Sequence, residues 1–101
     1  MSGQFDPYTI LDALERARAS FVVIGALARV LHGSDEVTRE VDICPSAREA
    51  DLRRIERALA ELRVETPADL ATAAAEHRTT ALEPAQGRLN LVFQPAGTRG
   101  W

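Results

Sequence analysis

Early in the chain, apolar residues recur at helical spacing: Ile10, Leu11, Leu14 and Ala17 share one face. Asp6-Pro7 precedes them and reads as an N-cap followed by proline at the first helical position. Together these predict an amphipathic helix over 7–19. The wholly apolar run FVVI, 21–24, stops at Gly25 and predicts a central strand buried on both faces. Helical character resumes over 26–32 through Ala26, Leu27, Ala28, Val30 and Leu31. It ends at His32-Gly33, where glycine supplies a left-handed cap. Residues 34–38 are polar and predict a loop, and EVDIC, 40–44, alternates as a second strand.

Ser46 with Glu49 fits a capping box opening a helix over 47–62. Leu52, Ile55, Leu59 and Leu62 form its apolar stripe, while Arg48, Arg53, Arg54, Arg57 and Arg63 lie mostly elsewhere, as a solvated face. Thr66-Pro67 opens another helix, to about 75, by the same cap-and-proline logic. RTTAL, 78–82, and RLNLVF, 88–93, read as strands joined by the hairpin loop EPAQG. The order α-β-α-β-α-α-β-β predicts one small α/β domain over 1–101.

Composition narrows the chemistry. A chain of 101 residues, 46% of them hydrophobic, supports one core. The formal net charge of -3 supplies no general basic field for nucleic acid, so RNA is not the favoured partner. All 12 basic residues are arginine, which excludes a lysine nucleophile, a Schiff base and a P-loop lysine. Cys44 is the single cysteine, so no internal disulfide and no cysteine-cluster zinc site is expected, and it reads as a small buried residue. The opening MSGQFDPYTI has no basic stretch followed by an apolar run, and no apolar run approaches the ~20 residues that span a bilayer. A cytoplasmic protein with no membrane partner is the expectation.

The two later strands frame the candidate site. In 40–44, Val41 and Ile43 share one face, leaving Glu40, Asp42 and Cys44 on the other. In 88–93, Leu89, Leu91 and Phe93 share a face, leaving Arg88, Asn90 and Val92 opposite. If both strands lie in one sheet with apolar sides toward the same helices, Glu40, Asp42 and Asn90 converge. Such oxygen donors suit a hard cation such as Mg²⁺. The turn at Gly25-Ala26 offers backbone N–H groups to a phosphate. The plain alternative sets Glu40 and Asp42 on a solvated strand edge, where charge blocks edge-to-edge pairing. Thr38 either bonds the backbone or contacts phosphate, and Arg88 either contacts phosphates or replaces missing metal charge. His32 reads as a helix-end residue, and His77 as the start of a strand without a role.

The segment FVVIGALARVLHGSDEVTREVDI resembles the nucleotidyltransferase superfamily, in particular the minimal bacterial members and those of toxin–antitoxin pairs. Their pattern is an apolar strand, Gly-Gly or Gly-Ser, a helix, often His-Gly, an Arg-x-Thr loop and Asp-x-Asp on a strand, with a third Asp on a later strand. The likeness covers roughly 20–94 and implies the nucleotidyltransferase fold, a small mixed sheet of about four strands backed by helices. It also implies carboxylates that hold Mg²⁺ or Mn²⁺ on a nucleoside triphosphate, such as ATP, with Gly25, Ala26, Thr38 and Arg88 toward the nucleotide. Four departures stand out: Ala26 for the second glycine or serine, Glu36 for arginine, Glu40 for the first Asp, and Asn90 for the third. Asn90 has no charge and cannot act as a base. The expected activity is Mg-dependent transfer of a nucleoside monophosphate to a hydroxyl acceptor, weakened or lost. The rival expectation is an inactive, antitoxin-like binding module that pairs with a toxin, an antitoxin or a second copy, with Phe93 and Trp101 as contacts.

Overall fold

The computed structural model of the chain describes residues 5–93. Helix α1, Pro7–Arg16, begins as expected: Asp6 Oδ1 accepts from Thr9 N–H at 3.2 Å, and Thr9 Oγ1 donates to Asp6 Oδ2 at 2.6 Å. There follow β1 (Phe21–Ile24), α2 (Gly25–Leu31), β2 (Glu40–Pro45), α3 (Glu49–Glu61), α4 (Leu70–Ala75), β3 (Thr79–Leu82) and β4 (Arg88–Val92). The element order is the expected one.

The four helices among the described residues all stop in the same way. After α1, Arg18 N–H bonds Glu15 O at 2.9 Å and Ala19 N–H bonds Leu14 O at 3.1 Å, the paired bonds of a Schellman cap. The same pair of bonds closes α2 at Gly33, α3 at Arg63 and α4 at His77. The residue after each cap must take positive φ. Gly33 does so freely, whereas Arg18, Arg63 and His77 hold φ of 61°, 61° and 57°. This truncates the expected 7–19 helix at Arg16. It also makes His77 the left-handed closure of α4 rather than the start of a strand.

The sheet order is β1-β2-β4-β3, with β2 and β4 parallel and both outer pairs antiparallel. The fold is therefore a mixed α/β domain with a four-stranded sheet packed against four helices. FVVI is an edge strand, contrary to the expectation of a central one, and Val22 is 49% exposed. Its apolar run reflects partial cover by α2 and the core, not burial on both faces. The interior strands are β2 and β4. Val41, Ile43, Leu89 and Leu91 are fully buried and join Ile10, Leu14, Ile55 and Leu59 of α1 and α3 in one cluster. Each such side chain contributes roughly 1.5–3 kcal/mol. Phe93 is also buried in this core, so it is not available as a partner contact; Trp101 lies outside the described residues.

Ser46 does not cap α3. It is buried, Arg48 is the N-cap residue, and the helix starts at Glu49. The carboxylate that organises this end is Asp51, whose side chain is 2% exposed. It accepts from Arg54 Nη1 at 3.1 Å and Arg48 Nε at 3.3 Å. Burial by itself would raise the Asp51 pKa, but hydrogen bonds from Ser46, Arg54 and Ser20 N–H, with the Arg48 charge, outweigh it and hold it below the usual carboxylate value. Ser46 N–H also bonds Ser20 O at 2.9 Å, so the start of β1, the end of β2 and α3 are tied at one point. After Thr66-Pro67 the chain makes a turn, with Leu70 N–H bonding Pro67 O at 3.2 Å, and α4 begins only at Leu70.

Candidate functional site

Parallel pairing of β2 and β4 sets Glu40 level with Arg88 and Asp42 level with Asn90. Residues two apart on a strand share a face, so these four side chains lie together, turned away from Val41, Ile43, Leu89 and Leu91. Asn90 Nδ2 donates to Asp42 Oδ1 at 2.6 Å and reaches Glu40 Oε1 at 3.4 Å. Arg88 Nη1 stands 3.8 Å from that same Glu40 oxygen, while its Nε donates to Glu83 Oε2 at 2.8 Å. One strand supplies acceptors and the other supplies donors.

Because β2 lies between β1 and β4, Asp42 is not an edge charge, while Glu40, past the last β1 pair, is flanked by β4. Two carboxylates on an interior strand repel each other, and the Asn90 amide with the Arg88 guanidinium offsets that repulsion. The cluster is partly open to water: the Glu40 side chain is 47% exposed, and Asp42 and Asn90 are half-buried.

Gly25 approaches the cluster from β1. Ile24 is the register partner of Asp42, and the chain turns into α2 at Gly25 with φ of 71°. A Cβ there would overlap Asp42 Oδ2. Glycine is thus required both by the backbone angle and by the carboxylate beside it. Ala26 follows within α2, half-buried. Thr38 is committed to the backbone: its hydroxyl accepts from Glu40 N–H at 3.3 Å and donates to Glu40 O at 3.3 Å. It fixes the entry of β2 rather than presenting a free hydroxyl.

The loop before β2 is held by a contact that periodicity does not reveal. Glu36 takes a bidentate pair from Arg29, Nε at 2.7 Å and Nη2 at 3.0 Å, and Ser34 Oγ adds a bond at 3.0 Å. The Arg29 hydrogen bonds, then Ser34, hold the Glu36 carboxyl below its usual pKa. Glu36 therefore serves as the partner of α2. Asp51 was equally hidden, although its signal was present: it stands four residues before Ile55, on the buried side of α3. Cys44 is half-buried on the carboxylate face, and burial pushes its thiol pKa up.

Among the described residues no three His, Cys, Asp or Glu side chains gather as metal ligands. The donor set is two carboxylates and one amide. A half-turn of the Asn90 amide would exchange Nδ2 for Oδ1, and three oxygens would then suit one hard cation. A second ion would lack the third anionic oxygen that offsets repulsion between two metals. No helix among the described residues is long and apolar enough to cross a membrane. No family model, no curated protein and no solved structure matches this chain.

Proposed function

We propose that this chain is a degenerate nucleotidyltransferase-fold domain that binds a nucleoside triphosphate with one divalent ion and has weak or no transferase activity. Glu40 and Asp42 hold the ion, Mg²⁺ or Mn²⁺, which supplies positive charge to the triphosphate oxygens of ATP or a related nucleotide. Gly25 and Ala26 lie toward the phosphates, where the missing Cβ of Gly25 leaves room beside Asp42. Arg88 turns Nη1 from Glu40, 3.8 Å away, to a phosphate oxygen while its Nε stays on Glu83. Asn90 orients both carboxylates but carries no charge and accepts no proton, so a hydroxyl acceptor is not activated. The observation that carries this reading is that Glu40, Asp42 and Asn90 share one side of the sheet with Gly25 set against Asp42.

Calorimetry with Mg-ATP on the wild type, Asp42→Ala and Asn90→Asp tests it. Binding by the wild type, none by Asp42→Ala, and stronger binding by Asn90→Asp are expected. Absence of binding in both wild type and Asn90→Asp removes the proposal.

A second reading is an inactive partner module of the antitoxin kind, or a homodimer. It is supported by Val37, 89% exposed in the loop that leads to Glu40, and by a carboxylate pair whose donors come from the chain itself. The Mg-ATP calorimetry separates the two, because only the first reading requires nucleotide binding.

A further inference from the structure

The arginines are unevenly spread. Arg16, Arg18, Arg48, Arg53, Arg54 and Arg57 line adjoining depressions along the end of α1 and the outer side of α3. These helices cover the apolar side of the sheet, opposite Glu40 and Asp42. The whole chain carries a net charge of -3, so this face departs from the rest of the molecule.

At its centre lies a cleft of about 440 Å³ between α1 and α3, lined by Arg16, Ala17, Arg18, Arg54, Arg57 and Glu61. Glu61, its single carboxylate, is held by Arg16 through Nη2, and that hydrogen bond keeps its acid below the ordinary pKa. Arg54 is anchored on Asp51. Among the described residues neither Arg18 nor Arg57 has a carboxylate within ion-pair distance. The carbonyls at this end of α1 are occupied by the Schellman N–H groups, so guanidinium donors dominate the cleft.

We propose that this cleft binds a compact phosphate-bearing anion, with Arg18 and Arg57 as the principal donors. A guanidinium fork matches two oxygens of one phosphoryl group, and two uncommitted forks match an oligophosphate. A long nucleic acid is disfavoured on three grounds. Glu15, Glu56 and Glu61 interrupt the arginine face, the chain as a whole is acidic, and no aromatic side chain lines this cleft as a stacking platform. The site stands apart from the carboxylate cluster and does not depend on its function.

Titration of the full chain with inorganic tripolyphosphate in EDTA, followed by calorimetry and amide NMR, tests the proposal. Without a divalent ion the carboxylate site repels this probe. The variants are Arg18→Gly, which suits the φ of 61°, and Arg57→Gln on the exposed side of α3. Shifts confined to 16–18 and 54–61 are expected, with affinity lowered by about ten-fold in each single variant, the loss expected when one good charge-assisted contact goes, and further in the double variant. Arg78→Gln, an arginine away from the cleft and paired with Asp69 and Glu76, should bind as the wild type does. Orthophosphate should bind more weakly than tripolyphosphate at the same residues. Unchanged affinity in the double variant overturns the proposal if circular dichroism shows the fold intact. So does an equal response to sodium sulfate at matched ionic strength, which would mean screening alone. Tighter binding of a short single-stranded RNA would overturn the preference for a compact anion.

Discussion

Asn90 donates its side-chain amide to Asp42 across the parallel β2–β4 pair at 2.6 Å, from the position directly level with it. The contact joins residues far apart in sequence and leaves the carboxylate cluster needing no cation to stay together.

Replacing that donor should make the fold depend on metal. Asn90→Asp removes the bond and adds a third carboxylate, at an expected cost of about 1–3 kcal/mol in metal-free buffer. Millimolar Mn²⁺ should restore much of it, because an ion that binds only the folded state stabilises that state. Thermal melts with and without Mn²⁺ report the effect, and a variant indifferent to the ion would count against Glu40 and Asp42 as its ligands.

Gly25→Ala should damage the same site from the opposite side. The new methyl meets Asp42 Oδ2, and φ of 71° strains any L-residue. A loss of roughly 1–3 kcal/mol in urea denaturation is expected, together with weakened Mg-ATP binding.

Asp51 should set much of the acid sensitivity of folding. Its pKa is lowered in the folded state, so its contribution is fully present above the ordinary carboxylate value of about 3.9 and is lost as pH falls through the lower folded value. Asp51→Asn should lose roughly 1.5–3 kcal/mol near neutral pH, the range for hydrogen bonds to a charged group. Its stability should then fall less steeply than that of the wild type in the acid range. Urea titrations across pH compare the two slopes.

The helix ends offer stabilising changes. Arg63→Gly and His77→Gly relieve φ of 61° and 57°, each expected to gain about 0.5–1 kcal/mol against a left-handed cost of roughly 1–2 kcal/mol per residue. Gly33→Ala should lose a comparable amount, since Gly33 sits at φ of 107°. Melting temperatures of the three variants check the signs.

The element order and the faces of the two interior strands were legible because periodicity is local: side chains two apart on a strand share a side wherever the strand ends up. Alternation within EVDIC and RLNLV fixed which residues face water, and the Asp6-Pro7 cap fixed where the first helix begins. Other features were not written in a local pattern. The run FVVI reads alike for a central or an edge strand, and its place beside β2 alone depends on where β4 inserts.

By itself, then, the sequence determined eight elements in order, an apolar side and a carboxylate side on β2, and a matching pair of sides on β4. Tertiary structure alone decided that β4 lies against β2 in parallel, that Asn90 comes level with Asp42, and that Asp51 is buried beneath Arg48 and Arg54. The reason is that strand neighbours and register follow from burying Val41, Ile43, Leu89 and Leu91 together under the helices. That choice is made by the whole chain, and a shift by one residue would turn each of those side chains to water.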